Sequence, residues 1–270
     1  MLAMLPSVET LSPWLDPNLT NHLTMLVGIF LLGGLVRGAT GFGGAMVMIL
    51  PLASIYAMPQ AIAISILLEL FGPLLLLRSA FRQVYDKAHT YRLLHKFVLW
   101  SVLGLPIGLF AQGILDTNVV GLIASFVIAF IALAMLVGAQ RLLPRVSNNV
   151  SRGLGLACGS LIALTGIGGP VAASYFMNAI NEPRLVRSMM HLYATVMSIA
   201  TITLMLGVGF VGKELFPPLA LGLPVYIIAT SAGQHLTGFI SPNRLRQFIL
   251  LFILASSGFF LLRFLPVELV

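Results

Sequence analysis

Charge is what this 270-residue chain has least of: Asp, Glu, Lys and Arg make up 9% of it, against roughly 25% in soluble domains. So few polar groups cannot cover a water-soluble globule. A hydrophobic share of 59% and a mean hydropathy of +1.02 leave the bilayer as the solvent. Cysteine is almost missing too. The lone Cys158 excludes an internal disulfide and a cysteine-built metal cluster, and reads as a small buried residue. Acidic residues number 8 against 15 basic ones, a net charge of +7 that in a soluble protein would point to nucleic acid. In an apolar chain the excess has a simpler source in membrane orientation, so no nucleic-acid partner is expected. Also lacking are a Gly-x-Ser-x-Gly elbow, a His-Glu-x-x-His pair and a polar linker that would set off a soluble module. Neither an enzyme nor a cofactor or metal site is expected, and the membrane domain is read as the whole protein.

What is present is a series of long apolar runs, among them 61–77, 97–115, 119–139 and 248–262. These approach the roughly 20 residues that cross a bilayer as a helix. Residues 1–21 carry Glu9 and Asp16 but no Lys or Arg, so they lack the basic start of a secretory signal and read as an extracytoplasmic tail.

An internal repeat organises the rest. Ala39-Thr40-Gly41-Phe42-Gly43-Gly44 recurs 125 residues later as Leu164-Thr165-Gly166-Ile167-Gly168-Gly169. Met58-Pro59-Gln60 then matches Glu182-Pro183-Arg184, and Gly104-Leu105-Pro106 matches Gly222-Leu223-Pro224. Three matches in the same order make a duplication. Repeat 1 is expected over 22–140, a cytoplasmic linker over 141–152 and repeat 2 over 153–270. Each repeat reads as a Gly-broken pair of short helices followed by three spanning helices. The expected helices are 22–36, 44–56, 59–77, 93–115 and 118–139 in the first repeat. In the second they are 152–164, 170–179, 185–206, 217–238 and 245–265.

Loop charge orients these segments. Arg78, Arg82, Lys87, Arg92 and Lys96 stand against a single Asp86, which makes that loop cytoplasmic, and Arg141, Arg145 and Arg152 follow two spans later on the same side. If each broken pair returns to its starting side, Arg184, Arg187, Arg244 and Arg246 also fall inside, while Glu9, Asp16, Asp116, Glu214 and Glu268 fall outside. The fold class expected is therefore an all-α integral membrane protein of two inverted repeats, with both termini extracytoplasmic. Charge does not decide whether each broken pair is a re-entrant hairpin or two short spans.

Backbone that leaves the helical ladder within a membrane is tolerated where it lines a cavity or is buried in protein. The helix after each break starts with unpaired N–H groups and the positive end of its dipole, a geometry that suits an anion. Candidate ligands are Thr40, Gly41, Gly43 and Gly44 in the first break and Thr165, Gly166, Gly168, Gly169 and Pro170 in the second. The alternative is that these glycines only let helices pack closely.

These breaks, the Pro59 and Pro183 turns and the Gly-Leu-Pro-Ile-Gly-Leu-Phe-Ala-Gln-Gly stretch over 104–113 resemble the TauE/SafE family of sulfite and organosulfur anion exporters, over about 24–265. The resemblance implies a permease for small sulfur-containing or carboxylate anions, placed in a bacterial cytoplasmic membrane.

Arg37 lies three residues before Thr40, and its guanidinium fork can pair two oxygens of a sulfonate, sulfite or carboxylate. It could instead reach water or pair with Glu69. Glu69, His191 and Tyr193, the last matching Glu69 in the repeat, are candidates for proton coupling or gating, although a packed structural role suits His191 as well. Gln112, Asn178, Gln234 and His235 are candidates to line a path or bridge helices. The expected function is secondary transport of a small anion by alternating access, with export as the expected direction. A channel is the nearer alternative and a membrane-embedded enzyme the more distant one. The partners expected are the anion and the lipid bilayer; a homo-oligomer is compatible with the sequence.

The sidedness is testable by thiol labelling in a Cys158→Ser background. A cysteine replacing Lys87 or Arg145 should react from the cytoplasmic side only, and one replacing Glu9 or Glu268 from the outer side only. The reverse pattern would overturn the assigned orientation.

Overall fold

The computed structural model describes residues 19–40, 43–85, 88–137, 148–180, 182–236 and 242–264. The expected tail over 1–21 and linker over 141–152 lie largely outside these. Among the described residues there is no strand. Ten α-helices follow one another among these residues: α1 Leu19–Thr40, α2 Gly44–Leu52, α3 Met58–Tyr85, α4 Ala88–Ile114, α5 Thr117–Leu136, α6 Asn148–Thr165, α7 Gly169–Ala179, α8 Pro183–Gly207, α9 Phe216–Leu236 and α10 Pro242–Phe264.

The starts of these helices have local causes. Pro59, Pro170, Pro183 and Pro242 sit in the first turn of α3, α7, α8 and α10, where a missing N–H breaks no helical bond. Asp116 caps α5 by accepting from the Asn118 amide at 3.1 Å.

Helix length separates two kinds of element. At 1.5 Å rise per residue, the 22 residues of α1 reach about 33 Å, enough to cross a hydrocarbon core of about 30 Å. The 9 residues of α2 and 11 of α7 reach only about 14 and 17 Å. The first arm of the first pair is thus longer than the expected 22–36, while both second arms are short. Five described helical segments are long and apolar enough to cross: Asn21–Ala39, Ala88–Ile114, Thr117–Ala134, Arg184–Gly207 and Lys213–His235. In α3 an apolar stretch runs over Met58–Phe71, and its later turns carry Arg78 and Arg82.

Packing partners are exchanged between the halves. α1 lies along α9, α6 along α4, α3 along α8 and α5 along α10. Glycine allows the first two contacts. A methyl at Gly159 of α6 would overlap the Ser101 carbonyl oxygen of α4, and one at Gly38 of α1 would overlap the Thr230 carbonyl oxygen of α9. Without a hydrophobic drive between helices in lipid, such backbone-to-backbone approach supplies the dispersion that holds them together. The outward faces carry exposed Ile107, Phe110, Phe126, Phe130 and Ile228, as a lipid-facing surface requires.

Gly159→Ala should therefore lower stability in detergent by about 1–3 kcal/mol through overpacking. Gly28→Ala, where nothing lies within 4 Å, should be neutral or mildly stabilising. Equal thermal midpoints for the two variants would show that the α4–α6 approach has slack.

Candidate anion site

Both breaks turn on a glycine with a left-handed backbone. Gly43, just before α2, has φ 86° and ψ 3°, and Gly166, just after α6, has φ 73°. A side chain is strained at such angles. Gly168 at φ −141° is in a region open to any residue. Gly41, Phe42 and the side chain of Thr40 lie outside the described residues.

The two breaks meet around one cavity of about 60 Å³. By the measure in which a water needs about 10–15 Å³, that is room for a molecule of a few heavy atoms. The first half contributes Arg37, Gly43, Ala45, Met46, Ile66 and Glu69 to the lining. From the second half come Ile162, Gly166, Ile167, Gly168, Gly169, Pro170, Met190, Tyr193, Ala194, Met197 and Ser198.

The two walls differ in chemistry. Arg37, in the last turn of α1, is 6% exposed and has no salt-bridge or hydrogen-bond partner among the described residues. Glu69 of α3 does not pair with it. Instead its Oε1 accepts the Ala45 amide at 2.8 Å, in the first turn of α2, so the carboxylate sits where the helix offers its free N–H groups. Gly44 makes this approach feasible: a methyl there would lie 2.8 Å from Glu69 Oε1, 2.8 Å from the Tyr226 hydroxyl and 2.9 Å from the Gly33 carbonyl. Tyr226, in α9, is buried, and its hydroxyl has no hydrogen-bond partner among the described residues.

On the second wall the equivalent positions carry no charge. Ile162 stands where the first half has Arg37, Pro170 removes the amide that Ala45 supplies, and Tyr193 replaces Glu69. The Tyr193 hydroxyl lies 3.0 Å from Cys158 Sγ and donates to Ser101 Oγ at 3.2 Å, while the Cys158 thiol donates to the Gly168 carbonyl at 3.2 Å. Phe97, Tyr175 and Phe176 pack behind this chain, with Phe97 stacked on Tyr175 at 4.3 Å.

Other residues singled out from the sequence fall off the cavity lining. The Thr165 hydroxyl donates to the Leu161 carbonyl at 2.8 Å, which spends its one hydrogen within α6. His191 is half-buried, its Nδ1 has no hydrogen-bond partner among the described residues, and it stands within electrostatic reach of Arg37 and Arg187. Gln112 bridges α4 to the end of α6 by donating to the Leu164 carbonyl at 3.4 Å. Asn178 and His235 bond within their own helices, to the Ser174 and Ser231 carbonyls, and Gln234 is exposed. Sequence reasoning missed the three methionines of the lining, and Tyr226, which stands by Gly44 outside that lining. It also read Cys158 as mere packing, although its thiol links the second break to Tyr193.

Five helical segments long and apolar enough to cross a bilayer make this a multi-pass membrane protein by class. The chain belongs to the sulfite exporter TauE/SafE family, whose family model matches residues 26–260. No curated protein and no solved structure matches it significantly.

Tyr193→Phe removes a hydroxyl that bonds both Cys158 and Ser101 in the interior. Stability should fall by about 1–3 kcal/mol, as for a buried hydrogen-bonded group left without its partner. An unchanged melting profile would show that these contacts contribute nothing to holding the second break.

Proposed function

We propose that the chain is a secondary transporter that exports a small anion, sulfite, a sulfonate or a related organosulfur or carboxylate anion, across a bacterial cytoplasmic membrane. The observation that carries this reading is Arg37, 6% exposed and with no counter-ion among the described residues, in a cavity bounded by both Gly-rich breaks. A charge held in protein interior without a partner is costly, and a substrate oxyanion supplies the partner. Planar, forked donors suit the paired oxygens of sulfite, sulfonate and carboxylate.

Alternating access is the transport mode proposed, with the halves as inverted repeats and the anion held between their breaks. The exchange of partners, α1 with α9 and α6 with α4, supports two equivalent units that rock against each other. Gly43, Gly44, Gly166, Gly168 and Gly169 would let backbone approach the anion, Arg37 would fix its charge, and Glu69 would couple its passage to a proton. Thr40 and Gly41 remain proposed contributors from the first break, and Thr165 and Pro170 shape the second.

Reconstituted protein should show saturable counterflow of labelled sulfite or sulfonate, and flux should respond to an imposed pH gradient. Arg37→Ala should weaken anion binding roughly tenfold to a hundredfold, the range for lost charge-assisted hydrogen bonds. Unchanged affinity would remove Arg37 from the site, and an ohmic, unsaturable current would replace the carrier with a channel.

A further inference from the structure

The place best built for an anion is already held by one. Glu69 Oε1 accepts the Ala45 amide at 2.8 Å at the start of α2, where orphan N–H groups and the helix dipole favour negative charge. Two buried polar side chains stand beside it with no hydrogen-bond or ion-pair partner among the described residues: Arg37, 6% exposed, and Tyr226, 1% exposed. The Tyr226 hydroxyl and Glu69 Oε1 share the small space left by the missing side chain of Gly44, each 2.8 Å from where a methyl would be. The second break has none of this. Its α7 start carries Pro170 without an N–H, and Tyr193 is engaged with Cys158 and Ser101.

We infer that Glu69 is a resident anion that the substrate displaces, and that the arriving oxyanion is held by the Ala45 N–H, the Tyr226 O–H and the Arg37 guanidinium. This rests on the cavity being the anion site. Displacement needs a proton. One proton from solution adds to the Glu69 carboxylate, the neutral carboxyl loses its claim on the Ala45 amide, and the oxyanion takes that amide. The charge facing Arg37 stays at minus one, so each monoanion bound takes up one proton. Tyr226 is a ligand that the resting state leaves idle, which accounts for a buried hydroxyl without a partner.

Other titratable groups around Glu69 are few. Arg37 comes from α1 and Tyr226 from α9, which carries the exposed His235 in its last turn, while α8 brings His191 and Tyr193, with Arg184 and Arg187 at its start, and α3 itself carries Arg78, Arg82 and Tyr85 in its later turns. None lies in α2 or α5, and those of α4, from His89 to Lys96, lie in its opening turns. His191 is thus the competing source of any pH dependence.

The test is calorimetric titration of the purified full chain in nanodiscs with methanesulfonate, a permanently ionised probe. Runs across pH, and in buffers of different ionisation enthalpy, count the protons bound. The wild type should take up about one proton per anion, its affinity falling roughly tenfold per pH unit where Glu69 is ionised. Glu69→Gln should flatten that dependence and bind at alkaline pH, and His191→Gln should leave it in place. Tyr226→Phe should weaken binding about tenfold while keeping the slope, as expected for one lost charge-assisted hydrogen bond. Binding without proton uptake, or a slope lost in His191→Gln and kept in Glu69→Gln, would overturn the displacement. Unchanged affinity in Tyr226→Phe would overturn its role as ligand. Absence of methanesulfonate binding at every pH would instead overturn the anion site itself.

Discussion

Backbone N–H and C=O groups that leave a helix inside a membrane protein have no bulk water to turn to, and each one left unsatisfied costs several kcal/mol. Two such interruptions, between α1 and α2 and between α6 and α7, bound the cavity, and the surrounding structure answers them. The arm before each break is gripped by a helix from the opposite half, α1 by α9 and α6 by α4, at glycine-mediated distances that shut lipid out. Within that shelter the breaks solve the same polar problem differently. At the first, a carboxylate from α3 accepts the Ala45 amide. At the second, Pro170 has no amide to satisfy, and the Cys158 thiol donates to the Gly168 carbonyl.

From this difference comes the asymmetry of the cavity. The half that satisfies its break with Glu69 also keeps a buried arginine, so its wall is polar and charged. The half that uses proline, cysteine and tyrosine presents thioether, aliphatic and aromatic groups with Ser198, and no charge. At three positions matched by the repeated motifs the halves differ, Arg37 against Ile162, Ala45 against Pro170 and Glu69 against Tyr193, and the charged half is the proposed anion-holding side.

Much of the fold was legible in the sequence because its signals are local. Apolar run length, proline in first turns and the repeated Thr-Gly-x-Gly-Gly string placed ten helices within a few residues of where most of them lie, though α3 runs eight residues past its expected end, to Tyr85. Arg37 and Glu69 stood out as charges in apolar surroundings. Their relation did not: a pairing between them was open from sequence, and the carboxylate instead binds an amide 24 positions away. Tyr226 was hidden for the same reason. It sits in an ordinary apolar stretch of α9 and gains meaning only where that helix crosses the Gly44 turn. The thiol of Cys158 likewise looked like filler until folding brought Gly168 and Tyr193 to it.

The most direct measurement is crystallographic, with selenite as an anomalously scattering stand-in for sulfite. The predicted result is a selenium peak inside the cavity between Gly43 and Gly168, with oxygens in reach of the Arg37 guanidinium and the Ala45 amide. Selenite bound only at the protein surface, with Glu69 still on the Ala45 amide and the cavity holding nothing but water, would contradict it.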